Sequence, residues 1–294
     1  MTTALGQDPV LSARELSKSY VTQRDLIGRP SGSFSALKAV NLALFKGETV
    51  ALVGESGSGK STLARCMLRL VQPSSGSVYF GDIDVLTASR SQLMDFRRHV
   101  QIVFQDPFGS LDPRLRIGTS IAEGMRHLGL TSAQSRARCI ELLELVQLSP
   151  RVLDRYPHEF SGGQRQRISI ARALGPNPSV LLADEPVSAL DVSVQGTILN
   201  LLRDLQDKLG LTYLIITHDL SVVRNISDRV AVMYQGALVE NAPADEFFDH
   251  PQHPHSRELI AAAPSLELRS RLHATRQPVQ PARPGGTAHS GEEP

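Results

Sequence analysis

The chain has 294 residues, 41% of them hydrophobic, enough for one large domain or two small ones with an ample core. Its 31 lysines and arginines against 30 acids leave a net charge of +1 with both signs interspersed, so no overall charge argues for nucleic acid. No apolar run approaches the roughly 18 residues needed to span a bilayer, and Cys66 and Cys139 lack partners at metal or redox spacing, as expected of core thiols in a reduced, cytosolic protein.

Residues 1–9 carry no secretory pattern. Residues 10–20 look strand-like, and the polar, Gly/Pro-containing stretch 22–35 reads as a loop or insertion. Val40, Leu42 and Leu44 alternate with Asn41, Ala43 and Phe45, which predicts a strand with one better-buried face. Strand-like Thr49-Val50-Ala51-Leu52-Val53 then runs into Gly54-Glu55-Ser56-Gly57-Ser58-Gly59-Lys60-Ser61-Thr62, which fits G-x-x-x-x-G-K-[ST]. A loop of this pattern wraps backbone N–H groups around nucleotide phosphates, and its glycines permit conformations and close approaches that a Cβ forbids. Residues 61–71 read as a helix whose positive end faces the same phosphates. Lys60 would reach the β- and γ-phosphates, and the Ser61 hydroxyl would ligate Mg²⁺. A Gly/Ser turn that merely caps a helix needs fewer of these residues, so the chain is expected to bind a nucleoside triphosphate.

From about residue 90 to 148 the periodicity is mostly helical, with Ile140, Leu143, Glu144, Val146 and Gln147 on an amphipathic helix. A helical insertion is the expectation there. At Phe160-Ser161-Gly162-Gly163-Gln164-Arg165-Gln166-Arg167 a second Gly-rich turn opens another helix. It reads as a second anion cradle, made by the Ser161 hydroxyl, the Gly163 N–H and the helix dipole. With one obvious triphosphate per chain, this cradle is expected to serve the nucleotide of another subunit. Val180-Leu181-Leu182-Ala183 and Tyr213-Leu214-Ile215-Ile216 are continuous apolar runs that suit a parallel sheet covered on both faces. Between them Ile198, Leu201, Leu202, Leu205 and Leu209 recur at helical spacing, which completes an α/β pattern. After Leu268 little remains to bury, and a disordered tail over 269–294 is expected.

The octet at 160–167 closely resembles the signature of ATP-binding cassette (ABC) ATPases, and other motifs of that family follow in order over about residues 10–240. The resemblance implies an α/β P-loop NTPase of ABC type over 8–246: a RecA-like core, an antiparallel β subdomain and a helical subdomain at about 90–165. It implies that Asp184, in Val180-Leu181-Leu182-Ala183-Asp184-Glu185-Pro186, holds Mg²⁺ through water and that Glu185 polarises the attacking water. Adjacent carboxylates at a strand end suit that division, one neutralised by metal and the other kept as base. Gln105 resembles the Q-loop glutamine that senses the γ-phosphate, approaches the metal and contacts the membrane subunit. Ser188-Ala189-Leu190-Asp191 resembles the D-loop, His218 the switch histidine, and Tyr20 the aromatic that stacks on adenine. Two such subunits sandwich ATP head to tail, with 54–62 of one against Ser161-Gly162-Gly163-Gln164 of the other.

Two stretches are similar to one branch of the family. Gln105-Asp106-Pro107-Phe108-Gly109-Ser110-Leu111-Asp112-Pro113-Arg114 resembles the Q-loop region of peptide/nickel importer ATPases, in the form of the second, F-type subunit of dipeptide and oligopeptide systems. His250-Pro251-Gln252-His253-Pro254-His255-Ser256 resembles that branch's His-Pro-x-His-Pro-Tyr-Thr signature, with His255 for Tyr and Ser256 for Thr; 247–268 is the corresponding extension. The three histidines lack an accompanying cysteine or fourth ligand, and their prolines keep the backbone extended, so docking of the extension is expected rather than a metal. The resemblance implies an ATPase at the cytoplasmic face of the cell membrane. Its partners would be two integral membrane permease subunits, a second ATPase (a heterodimer, or a homodimer) and, indirectly, an extracytoplasmic binding protein, with no nucleic acid. Dipeptides or oligopeptides are the leading substrates, nickel chelates or glutathione the alternatives. Soluble ABC ATPases of DNA repair or translation carry long coiled coils or two cassettes, and the sequence shows neither.

Overall fold

The computed structural model describes residues 8–24, 30–106 and 109–263, without the side chains of 22–24, 30 and 31. Pro107, Phe108 and the expected disordered tail lie outside the described residues. β1 (Leu11–Arg24) and β2 (Pro30–Leu44) form an antiparallel pair in which Leu11 faces Leu44 and Tyr20 faces Phe34. Much of 22–35, expected as a loop, is therefore strand. The ladder is a backbone interaction that Ser33 and Ser35 support as well as any apolar residue, and with Ser33 and Phe34 exposed there is no buried face to imprint an alternation.

β3 (Thr49–Val53) is buried at every position, and α1 (Lys60–Met67) follows the loop. The helix stops short of the expected residue 71 because Arg69 takes a left-handed φ of 51°, held there by guanidinium hydrogen bonds to the carbonyls of Val85 and Ala88 at 3.0 and 3.1 Å. β4 (Ser75–Phe80) and β5 (Ile83–Asp84) complete a four-stranded sheet ordered β2-β1-β4-β5. α2 (Arg90–His99) then leads into β6 (Val100–Val103), which pairs in parallel with the strand of 180–184. The span 90–165 is thus not one helical block. Its first helix buries Phe96 beside the four-stranded sheet, and its strand belongs to the core sheet.

The helical layer is α3 (Ile117–Glu123), α4 (Ser132–Leu145) and α5 (Gly162–Leu174). Beyond it the chain runs β7 (Val180–Asp184), α6 (Val192–Leu209), β8 (Thr212–Ile216), α7 (Leu220–Ile226), β9 (Arg229–Tyr234), β10 (Ala237–Pro243), α8 (Ala244–Asp249) and α9 (Pro254–Ala261). The second sheet is six-stranded, ordered β10-β9-β3-β8-β7-β6, parallel from β9 to β6 with β10 antiparallel at its edge.

Strand alternation divides the core. Leu181, Ala183, Tyr213 and Ile215 face the helical layer with Ile168, Leu142 and Ile198. Val180, Leu182, Leu214 and Ile216 face the four-stranded sheet with Leu16, Val40 and Leu63. Ala51, Val53, Val230 and Val232 pack under α7 and α8. Each fully buried Leu, Ile or Val contributes about 1.5–3 kcal/mol, so a sheet covered on both faces forms a rigid platform. Both cysteines are buried and free, and burial pushes the Cys66 thiol up to about 11, as suits inert core thiols.

Candidate functional site

β3 ends at the rim of the sheet, and the chain leaves it through glycines whose conformations other residues avoid. Gly54 has φ 146°, and a Cβ there would run into the carbonyl oxygen of Met233; Gly59 has φ 109°, and its Cβ would lie 2.5 Å from the carbonyl oxygen of Ala36. Gly57, at φ 80°, faces open space. No side chain caps α1, whose N-cap is Gly59, so the helix presents its N-terminal amides to the cavity in front of it. Lys60, 7% exposed, folds back over the loop and donates to the carbonyls of Gly54 and Glu55 at 2.7 Å each. Burial pulls the pKa of its ammonium down, against the charges of Glu185, Asp184 and Glu55. Ser58 N–H donates to Glu55 O at 3.2 Å, and the Ser58 hydroxyl is buried beneath the loop.

The ends of three sequence-distant strands meet this loop. The Ser61 hydroxyl donates to Asp184 Oδ1 at 3.3 Å at the end of β7. Burial raises the Asp184 carboxyl and outweighs the Ser61 hydrogen bond that lowers it; the neighbouring Glu185 charge adds to the rise. Glu185 follows at φ 48°, a left-handed conformation uncommon for a non-glycine residue, and its N–H donates to Ile216 O at 2.8 Å. Pinned to the end of β8 in this way, its carboxylate receives Gln105 Nε2 at 2.6 Å on one oxygen and contacts His218 Nδ1 at 2.9 Å on the other. His218 sits just beyond β8, and Asp219 caps α7 behind it by accepting Ser221 N–H at 2.8 Å. Gln105 lies two residues past β6.

A cavity of about 420 Å³ opens between these groups. Ser56, Gly57, Gly59, Lys60, Ser61 and Thr62 floor it, Gln105, Glu185 and His218 close one side, and Tyr20, Phe34 and Ala36 form the other. Tyr20 is 40% exposed, with Lys18 Nζ 4.9 Å from its ring centroid. Phe34 also lines the cavity, a role its sequence context does not signal. It is 54% exposed directly across the hairpin from Tyr20, and its sequence signal was hidden in a stretch read as loop.

Ser161, Gly162, Gly163, Gln164 and Asp191 do not line this cavity. Ser161 and Gln164 are exposed and satisfy one another: Gln164 N–H donates to Ser161 Oγ at 3.4 Å and Ser161 N–H to Gln164 Oε1 at 3.1 Å, a capping box at the start of α5. The glycines let α5 approach its neighbours, since a Cβ on Gly163 would lie 2.5 Å from Val194 Cγ1 and one on Gly162 3.2 Å from Leu190 Cδ2. Asp191 is the exposed N-cap residue of α6 and makes no side-chain cap bond. His253 and His255 lie at the start of α9, and among the described residues no group of His, Cys, Asp or Glu is arranged to hold a metal ion. No described helix is long and apolar enough to cross a membrane.

The residue types suit a magnesium nucleotide. Uncapped amides and an ammonium surround the position of the phosphates, and a hydroxyl paired with a carboxylate offers hard oxygen ligands beside them.

Residues 37–188, just over half of the chain, match the family model described as ABC transporter. Glutathione import ATP-binding protein GsiA of Escherichia coli is 50% identical over 266 residues, covering 90% of this chain and 43% of that protein, so the chain spans less than half the length of this relative. A putative peptide import ATP-binding protein of Brucella ovis is 49% identical over 260 residues, covering 88% of this chain and 80% of that one. Among solved structures, the ATP-binding cassette MJ0796, a dimer in a post-hydrolysis state bound to ADP and Pi, superposes with a TM-score of 0.70 at 31% identity, covering 80% and 98% of the two chains. The cbiO1 protein of Clostridium perfringens, part of the ABC transporter complex cbiONQ, gives 0.71 at 29% identity, covering 90% and 100%. The chain belongs to the ABC transporter family and has the ATP-binding cassette fold.

Proposed function

We propose that the chain is the ATP-hydrolysing, energy-coupling subunit of a peptide importer, working peripherally at the cytoplasmic face of the membrane. The observation that carries this reading is the meeting of Gln105 and His218 on the Glu185 carboxylate, beside the Ser61–Asp184 pair and the Lys60 cradle. In phosphoryl transfer a protein chiefly positions reactants and neutralises charge. Lys60 and the amides of Gly57 to Thr62 would bind the β- and γ-phosphates, with Tyr20 and Phe34 walling the side where the base lies. Ser61, Asp184 and Gln105 would hold Mg²⁺, which when bound neutralises phosphate oxygens. Glu185 would take a proton from the attacking water while His218 and Gln105 fix its carboxylate. The self-satisfied Ser161–Gln164 turn would open onto the nucleotide of a second subunit, and the dimeric state of MJ0796 supports such a pairing.

Import of peptides draws support from the Brucella ovis relative, which the chain matches over most of both lengths; the GsiA relative supports glutathione, itself a short peptide, as the alternative. Docking on two permease subunits would use the region around Gln105 to Arg116. Glu185→Gln should leave ATP binding intact and lower turnover by about 10²–10⁴-fold, the usual contribution of a positioned base. Hydrolysis at the parental rate in that variant would remove Glu185 from its role. Stoichiometric recovery with two integral membrane proteins on affinity purification supports transport; recovery with ribosomes or DNA instead would sink it.

A further inference from the structure

The C-terminal extension is connected to the phosphate loop by a short series of contacts. Glu240 of β10, only 8% exposed, accepts the N–H groups of Gln252 and His253 at 2.9 Å each, which fixes where α9 begins. His255, in the first turn of α9 and 4% exposed, lies with its ring centroid 4.1 Å from that of Tyr234, the planes inclined by 36°. His253 approaches the same ring at 6.4 Å. Tyr234 ends β9, and the chain then turns through Gln235 at φ 47° and Gly236 at φ 84°. Gly236 N–H donates to Ser58 O in the phosphate loop at 3.0 Å, and Gly236 O accepts from Lys38 N at 2.8 Å. One residue before Tyr234, the Met233 carbonyl occupies the place a Cβ of Gly54 would take. The turn 233–236 is therefore the back wall of the phosphate loop, and the start of α9 packs on that wall through His255.

We infer that His255 is a positioning residue for ATP binding: by packing its ring on Tyr234 it holds the 234–236 turn where Gly236 supports Ser58, so that the extension sets phosphate affinity without touching the nucleotide. Gln235 and Gly236 are the two central residues of the tight β9–β10 turn, of which only Gln235 is a non-glycine in left-handed backbone, and the buried His255 ring packs on the strand end that carries this turn. The inference rests on reading the loop 54–62 as the nucleotide site.

The test is a titration and steady-state assay with MgATP on the full chain. His255→Leu keeps a buried apolar side chain and removes the ring; the KM and Kd for ATP should rise about three- to tenfold, the worth of one aromatic contact, with kcat at saturating ATP little changed. His255→Phe restores the ring and should return both constants to the parental range. Unchanged ATP affinity in a folded His255→Leu variant overturns the inference, and so does failure of the Phe variant to rescue. If His255→Leu does not fold, Tyr234→Leu removes the other half of the ring pair and must raise the KM in the same way; an unaltered KM there also overturns it. Absence of ATP binding in the parental chain would instead overturn the proposed function, so the two failures are distinguishable.

Discussion

Two turns of similar composition open helices in this molecule, and they are built in opposite ways. At 54–62 the glycines adopt left-handed or strained backbone, no side chain caps α1, and Lys60 curls over the loop. At 161–164 a serine and a glutamine cap each other, and the glycines serve close packing against Leu190 and Val194. The first terminus leaves its amides open to the cavity in its own chain; the second is capped by its own side chains and exposed. Similar Gly and Ser content therefore covers two different builds, told apart by the conformation of the glycines and by the presence of a cap.

The contrast can be broken experimentally. Lys60→Ala should weaken ATP binding on the order of a hundredfold in a titration, because it removes the buried charge that the proposed function assigns to the phosphates. Binding as tight as in the parental chain would remove the distinction between the termini. Gly163→Ala should lower stability by about 1–3 kcal/mol through overlap with Val194, and adding Val194→Ala should restore most of it in thermal unfolding. A destabilisation that Val194→Ala does not relieve would mean the glycine is needed for its backbone. Gly57→Ala should behave in the reverse manner, costing about 1–2 kcal/mol from φ 80° alone with no neighbour whose truncation helps. Smallest is Ser161→Ala, which should cost about 1 kcal/mol as a lost helix cap and leave ATP affinity of the isolated chain unaltered. A fall in affinity there would place Ser161 in its own chain's site.

Much of the site could be read in the sequence because its parts are local. Gly54 to Thr62 carries its strand, loop and helix start in one stretch, and Asp184, Glu185 and His218 each follow a run of buried apolar residues. What escaped reading depends on pairing across the chain. Phe34 reaches the cavity because β2 pairs with β1 in a register that sets it opposite Tyr20. Val100–Val103 lies within a stretch of helical periodicity, and four residues of which only Val100 and Val103 are buried, one on each face of the sheet, give no periodicity of their own to recognise. The support of Ser58 by Gly236 joins residues 178 positions apart through one backbone bond, and backbone bonds leave no trace in side-chain pattern.

The left-handed backbone at Glu185 has a consequence for how this protein can evolve. An L-residue at φ 48° costs about 1–2 kcal/mol relative to glycine, and the parallel sheet beneath must hold it. Replacement by glycine would relieve that strain while discarding the carboxylate on which Gln105 and His218 converge. With Glu185 as the proposed base, selection for a more stable fold and selection for turnover would pull in opposite directions at this one position, and a hardier cassette that no longer cycles would lie a single substitution away.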